Sequence, residues 1–509
     1  MTGPYSRRAY LRTALGVSAL GLSAGCLAAS DDADPELTVA LSWDVTSDTW
    51  TTGFGGVSPY FTNVYETLVR ATPEMGTEPW LATDWEATDE TTWEFSLRED
   101  VQFHDGEALT AADVVSSFDT LFERGSYSWL HLDSDATRAL DEHTVEFTTS
   151  QPFPAFPEAI THPLTAIHRN PGDPGAVVAT GPFAVTEREQ GTVATEPFDS
   201  YWGDVPTYDL TFSVVQDDST RALSLESGDA DLAFELPRSR VGPLASEDGF
   251  SVERSLAPHV VYAGIHRYSE PTNDRRLRRA LNHAISQPSL VDTVLDGLGE
   301  PARGPISPAI SWSAHDEVTR YEYDPERARD LVDASAYDGE TLELLVSTDV
   351  VVDGDLIAEA MQAAFAEVGV EVSVRRTERA AFFDEMDHAD LSLLHYGSNN
   401  AGADYRIYQS FHTDGVNNRA NYERDGTGLY NLGDEVDALI DRGHRSAGDE
   451  REAAYREAQR LIVEDAVVLP ICYKEYAVGV RDGVEDLALH PIDKLVDLSR
   501  LAVDGGGDV

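Results

Sequence analysis

Lysine is almost missing from this 509-residue chain: Lys474 and Lys494 are the only two, and every other basic residue is arginine. Bases of both kinds number 37 against 91 acids, for a net charge of −54. Phosphate contacts need a basic footprint, so nucleic-acid binding is excluded. Cysteine is equally scarce, with Cys26 and Cys472 alone. Cys472 lies in the apolar stretch VVLPICY and reads as a buried, inert thiol. No apolar run approaches the roughly 20 residues that a membrane-spanning helix needs. There is no Gly-x-x-x-x-Gly-Lys-Ser/Thr loop to cradle a nucleotide, no Gly-x-Ser-x-Gly elbow stands out beyond the GLSAG at the end of the N-terminal apolar run, and there is no His-Glu-x-x-His helix. His259 and His266 are too far apart for a zinc pair on one helical face. Carboxylate pairs occur everywhere in so acidic a chain and point to nothing. No cofactor is expected.

The acids are spread along the chain and not gathered in a tail. Spread acidity with little lysine resembles proteins of salt-loving organisms and suggests a halophilic, archaeon-like source. Concentrated salt there screens the self-repulsion of the folded state. Disorder, the competing reading of high charge, is rejected because the chain is 41% hydrophobic, 9% aromatic and clearly periodic.

The N-terminus carries an export pattern. Arg7 and Arg8 stand in SRRAYLR, an apolar run extends from Ala14 to Leu22, and SAGC ends at Cys26. A twin arginine before such a run reads as a Tat signal. The small residues before Cys26 resemble a lipobox, with the leucine displaced to Leu22, so residues 1–26 are expected to be cleaved to a lipidated Cys26. A secreted protein with an incidental cysteine is the alternative. If Cys26 carries lipid, Cys472 has no disulfide partner. Residues 27–36 read as an acidic tether.

Strand and helix signals then alternate. Strands are expected at Leu37–Leu41, Thr92–Leu97, Val145–Thr149, Ala230–Phe234, Leu342–Val346, Val370–Val374 and Leu391–Tyr396. Helices are expected behind the capping box at Thr110–Asp113, over Ser219–Ser227, from Pro325 to Val332, and over Leu356–Val368, Phe382–Met386 and Glu450–Glu464. Ala466–Ile471 reads as a strand that Pro470 relegates to an edge. The alternation argues for an α/β fold with largely parallel sheets.

Several blocks recur in a familiar order: NVYETLVR (63–70), the long block from Pro79 to Phe118, TGPF (180–183), the block from Tyr201 to Phe234, RRLRRALNHAISQPSLVDTVLDGLGEPARGPISP (275–308), YDPERARDLV (323–332) and REAAYREAQRLIVEDAVVLPICY (451–473). Together they resemble the extracytoplasmic solute-binding proteins of the peptide/nickel ABC importer family, family 5, with PWLATDWE, SWLHL and DAVVLPICY nearest to its nickel-binding branch. The resemblance implies a two-lobed fold of the type II periplasmic-binding-protein kind with an additional inserted domain. Lobe I would take 37–58, 178–258 and 476–509, the inserted domain 59–177, and lobe II 259–475. It implies a monomer on the outer face of the cytoplasmic membrane that hands solute to permease subunits, and through them to an ATPase, without being an enzyme. A sensor on the same fold and, behind it, an exported hydrolase are the alternatives.

The resemblance also places candidate ligand contacts. Trp129 matches a ligand-flanking tryptophan of the nickel branch, and packing within the inserted domain is its other reading. The branch's carboxylate-holding arginines fall at Ser126 and His162 here. A tryptophan falls at Tyr396, beside His395, and the stretch 416–419 lacks the branch's metal-reaching histidine. The peptide branch would place an acid near Asp404. Phe54, Asp404 and Tyr405 complete the cleft candidates, with His162 and His395 as possible metal contacts. The ligand class, peptide or nickel chelate, stays open.

Overall fold

A computed structural model describes residues 35–45, 59–124, 127–169, 178–268, 270–348, 350–418 and 428–503. Arg7, Arg8, Cys26 and Phe54 lie outside them. The apolar run LTVAL lies in β1 (Glu36–Leu41). Next come β2 (Ala82–Ala87) and β3 (Thr92–Leu97), an antiparallel pair in which alternating residues of β3 turn inward. Helix α1 (Ala111–Arg124) begins as its capping box requires. The Thr110 backbone N–H and hydroxyl both donate to the Asp113 carboxylate, at 2.9 and 2.6 Å. Strands β4 (Leu132–Ala139) and β5 (Thr144–Thr149) complete a four-stranded antiparallel sheet ordered β2-β3-β5-β4. Phe95, Phe118 and Phe147 pack as its core.

The rest of the chain builds one larger sheet. Its strands are β6 (Phe183–Glu189), β7 (Thr192–Pro197), β8 (Asp209–Val214), β9 (Leu232–Ala233), β10 (Phe250–Ile265), β11 (Leu342–Val346), β12 (Val372–Arg376), β13 (Leu391–Gly397) and β14 (Val468–Arg481). The order is β12-β11-β13-β10-β14-β9-β1-β8-β7-β6, with Glu300–Pro301 pairing off β14. Helices α2 (Asp218–Ser227), α3 (Gln287–Val294), α4 (Gly354–Glu367), α5 (Asp404–Phe411), α6 (Asp434–Arg445) and α7 (Gly448–Glu464) belong with it. Asp217 caps α2 by accepting from the Thr220 N–H at 2.8 Å, and Gly228, at φ 81°, ends it.

Three expectations are corrected. The sheet is mixed: β1 runs parallel to β8 and β9, and β11 to β12 and β13, while the other pairings are antiparallel. Periodicity reports which face is buried and is silent on strand direction. The strand carrying Pro470 is interior, between β10 and β9. The missing N–H is tolerated because the register with β10 shifts between Val261 and Tyr262, at the residue Pro470 faces. Finally, the strand expected at Ala230–Phe234 is only Leu232–Ala233, and that expected at Val370–Val374 begins at Val372.

The fold is two-lobed. One lobe centres on β1 and β6–β9, the other on β11–β13, and the long strands β10 and β14 serve both. Their pairing breaks register between Leu256 and Val260, around Pro258. A break there bends the ladder at the passage from one lobe to the other.

Candidate ligand cleft

Beside this break two half-buried histidines meet. In the antiparallel β10–β13 pair, His259 stands opposite Gly397 and Val261 opposite His395. The His259 ring lies directly on Gly397, where any Cβ would fall 1.4 Å from a ring carbon, so glycine is required there. His259 and His395 meet edge to face, their ring centroids 4.9 Å apart. Burial pushes both imidazoles well below the usual histidine range, and the charges of Lys474, Lys494 and Arg406 add to this, as does His259 for His395. Both rings are therefore neutral at pH 7. The buried Nε2 of His395 has no hydrogen-bond partner among the described residues.

A cavity of about 340 Å³ opens next to this pair, walled by the first lobe through Glu235 and Arg238 and by the second through Asp353, His395, Cys472 and Lys474. Arg238 spans it, pairing with Asp353 and, at 3.2 Å, with Asp296. The other acids of the wall are also engaged. Asp218 meets Arg221 at 3.0 Å, Glu475 meets Arg254, and Glu235 accepts from the Ser42 hydroxyl at 2.6 Å. Lys474 is the exception: it makes no ion pair among the described residues. Cys472, 3% exposed, is inert as expected, since burial pushes its thiol up to about 12. A second space of about 350 Å³, on the second lobe alone, lacks such an unspent charge: its Arg303 and His315 both lie on Asp316, at 2.9 and 3.1 Å.

On the opposite flank the expected residues Trp129, His162 and Tyr405 come together. The Trp129 ring lies 4.8 Å from His162 and 5.7 Å from Tyr405. Trp129 is 7% exposed and packs into the core of the four-stranded sheet, so the packing reading describes its surroundings. His162 is fully buried, accepts from the Leu164 N–H at 3.1 Å, and is driven down to about 3 by burial, then by Arg406 and Lys494. The Arg406 guanidinium stacks on the Tyr405 ring at 4.4 Å. It too has no ion pair among the described residues, and its Nε is buried without a hydrogen bond. Tyr396 turns to the other face of the sheet, against Tyr262, with its hydroxyl unbonded.

Asp404 must be corrected as a free cleft carboxylate. Both its oxygens accept from Arg451, at 3.0 and 2.5 Å, and Arg451 also grips Glu158 with two bonds, at 2.8 and 2.5 Å. Burial works against the guanidinium, but the two acids outweigh it and raise its pKa. The residues that sequence reasoning missed are His259, Arg406, Lys474 and Lys494. For the lysines a signal existed, namely rarity. Lys494 bonds Asp493 at 2.9 Å and faces the Trp43 ring at 5.2 Å.

With this geometry in place, likeness to known proteins can be set beside it. The family described as bacterial extracellular solute-binding proteins, family 5, middle region, matches residues 76–418. The chain belongs to that family. It is 24% identical over 497 residues to the nickel-binding periplasmic protein of Escherichia coli K12, covering 89% of this chain and 93% of that protein. A Brucella suis family structure solved with Fe(III)-EDTA superposes with a TM-score of 0.80 at 22% identity, over 92% of this chain and all of that one. A Helicobacter pylori binding protein solved with the peptide STSA gives 0.72 at 21%, over 92% and 98%. Among the described residues of this family-5 protein, no helix is long and apolar enough to cross a membrane.

Proposed function

We propose that this family-5 protein is the lipid-anchored, monomeric receptor subunit of an ABC importer. It takes a peptide or a nickel-chelate-like solute into the cavity beside the β10–β14 register break and delivers it to a membrane permease. Three bodies carry this out: a first lobe of 37–58, 178–258 and 476–509, a second of 259–475, and an inserted domain of 59–177. A Tat signal at Arg7 and Arg8 directs export and is removed, and a lipidated Cys26 holds the protein on the outer face of the membrane, in a salt-rich medium. Trp129, His162, Tyr405 and His395 are the side chains assigned to the approach to the solute, with Tyr396, on the other face of the sheet, and Phe54, outside the described residues, as further candidates.

The observation that carries this reading is a cavity walled by both lobes next to the strands that join them. A hinge there encloses whatever the cavity holds. The ligands held in the related structures, a metal chelate and a short peptide, agree in size with such a space. No step of catalysis is needed: His259 and His395 are neutral, and the wall acids are engaged in ion pairs or, for Glu235, by the Ser42 hydroxyl.

The test is a melting-temperature screen of purified protein in multimolar salt over dipeptides, longer peptides, nickel, and nickel with histidine. A solute held only by the folded form at a hundred times its Kd adds about 2.7 kcal/mol of stability. No shift with any peptide or chelate sinks the assignment, and turnover of a peptide or glycan sinks the non-enzyme reading.

A further inference from the structure

An aspartate just before a helix is normally a cap: its backbone is extended and its carboxylate accepts from an N–H of the first turn. Asp217, Asp274 and Asp324 do this for α2 and for the helices that begin at Arg275 and Pro325. Asp353 stands at the same place before α4 and does not. Its φ is 60°, in the left-handed region, and its carboxylate caps nothing. Glycine alone enters that region freely, although Asp and Asn tolerate it better than other residues. The carboxylate instead meets the guanidinium of Arg238 in the wall of the 340 Å³ cavity. A residue that gives up a local role for a distant contact, in a costly backbone state, marks a contact that serves more than its own helix.

This contact joins the two lobes. Arg238 opens the helix Arg238–Leu244, whose Val241 and Leu244 pack with Ala40, Leu225 and Ala233 of the first lobe. Asp353 leads into α4, whose Ile357, Met361 and Phe365 pack with Leu344 and Leu393 of the second. Arg238 has another partner, Asp296, at 3.2 Å. That aspartate sits in a loop tied to the strands that serve both lobes. The Gly297 carbonyl accepts from Arg254 on β10 at 2.6 Å, and the Gly299 N–H donates to Glu475 on β14 at 2.9 Å. Leu298 of the same loop packs against the first lobe's cluster. Loop and Arg238 therefore belong together, and only the ion pair to Asp353 has to break when the lobes part.

The arrangement suits a contact that forms and breaks. A mostly buried guanidinium stripped of every carboxylate would make parting costly. With Asp296 beside it, Arg238 keeps a counter-charge whether the lobes are together or apart. In a chain of net charge −54, two bodies that approach repel each other, and a base at their junction offsets this.

We infer that Arg238 and Asp353 form an interlobe latch, with Asp296 as the partner that retains Arg238 while the latch is open. The latch favours the closed cavity before any solute is present. What the closing serves rests on the receptor reading above: a solute held only by the closed form binds more tightly by the factor by which the latch raises the closed fraction.

The test is an interlobe distance in the full mature chain, without solute and in one salt concentration. Spin labels on Leu223→Cys and Tyr323→Cys, exposed positions of the first and second lobe, report it by double electron–electron resonance, and the buried Cys472 stays unlabelled. The parent should show a closed and an open population. Asp353→Asn keeps a side chain suited to the left-handed backbone and should raise the open-to-closed ratio about 5-fold or more, as should Arg238→Gln. Asp296→Asn should move it less, and Arg238→Gln combined with Asp353→Asn should exceed neither single change by much. The melting temperature of Asp353→Asn should match the parent's, since its carboxylate caps nothing. A parent with no closed population overturns the latch. So does an unchanged ratio in Asp353→Asn, with or without a fall in melting temperature. Either result leaves the receptor reading standing. That reading falls instead if no probe of the melting screen binds, and the distances still decide the latch.

Discussion

Two sets of buried charge in this molecule are built in opposite ways. Arg451, from α7, sits between Asp404 on α5 and Glu158 on the segment after β5, and its guanidinium is spent on their oxygens and the Gly402 carbonyl. Lys474, in a wall of the cavity, makes no ion pair among the described residues, and the buried Asp493 carboxylate feels its charge only at a distance. The first arrangement ties distant segments together and leaves nothing for a ligand. The second stores an unmet interaction where a solute can reach it. The difference separates a charge kept for the fold from one kept for binding, although each is a base in a partly dry place. The largest effect expected from breaking the contrast is on the Arg451 side. Arg451→Met strands two buried carboxylates and should cost about 3–5 kcal/mol in denaturant unfolding at pH 7. A loss below about 1 kcal/mol would mean that the cluster is no more than a surface pair.

A second pair of sites sharpens the comparison through pH. Glu66 accepts from Trp80 Nε1 at 2.8 Å, Tyr201 Oη at 2.9 Å and Trp202 Nε1 at 3.3 Å, yet burial raises its carboxyl to about 7. Below pH 4.5 the group is protonated in both states. As pH rises, the unfolded chain ionises first, so stability is lost between about 4.5 and 7, by about 3 kcal/mol in all. Glu66→Gln should flatten that slope in melts recorded from pH 4 to pH 8, and an unchanged slope would remove Glu66 as its source. His131 works in the other direction. Its ring packs 4.5 Å from His444, and Gln151 Nε2 lies 3.1 Å from a ring nitrogen of each. Burial, then His444, depresses it to about 3. The unfolded histidine gains its proton near 6.5 and the folded one near 3, so stability falls as pH drops through that window. His131→Gln should lessen the acid loss by one to a few kcal/mol in the same melts.

The comparison also shows what a sequence can and cannot display. TWEFSL alternates, and its strand is found where the alternation puts it. Thr110–Asp113 and Asp217–Gly228 bracket helices because caps are local chemistry, readable within a few residues. Strand direction and edge position are set by distant pairing. Pro470 misled for that reason: its irregularity is absorbed by a bulge facing β10, more than 200 residues away in the chain. Along α7, Ala454, Ala458 and Ile462 are buried while Ala453 is exposed. Asp404 was named as a cleft candidate by resemblance, and nothing near it in sequence points to Arg451 as its partner. Trp129, His162 and Tyr405 were singled out by resemblance, and they do meet. Lys474 was visible in composition and passed over, because rarity alone does not say where a side chain points.

The smallest effect belongs to Lys474 itself and is the one that decides what kind of charge it is. In Lys474→Gln the half-buried ammonium is exchanged for a neutral amide that can still donate hydrogen bonds. If the lysine contributed to the fold, as Arg451 does, its loss would lower stability. It makes no ion pair among the described residues and meets the buried Asp493 carboxylate only through its field, so its loss removes little, and the positive field it imposes on His259 and His395 disappears with it. Unliganded Lys474→Gln should therefore be equal to the parent in stability or up to about 1 kcal/mol above it, as is common where a binding group is removed from its site. Both proteins should be melted in the same salt, since screening reaches even partly exposed charges. A drop of about 2 kcal/mol or more, the size of a lost charged hydrogen bond, would place Lys474 with Arg451 among the structural charges and dissolve the contrast between the two regions.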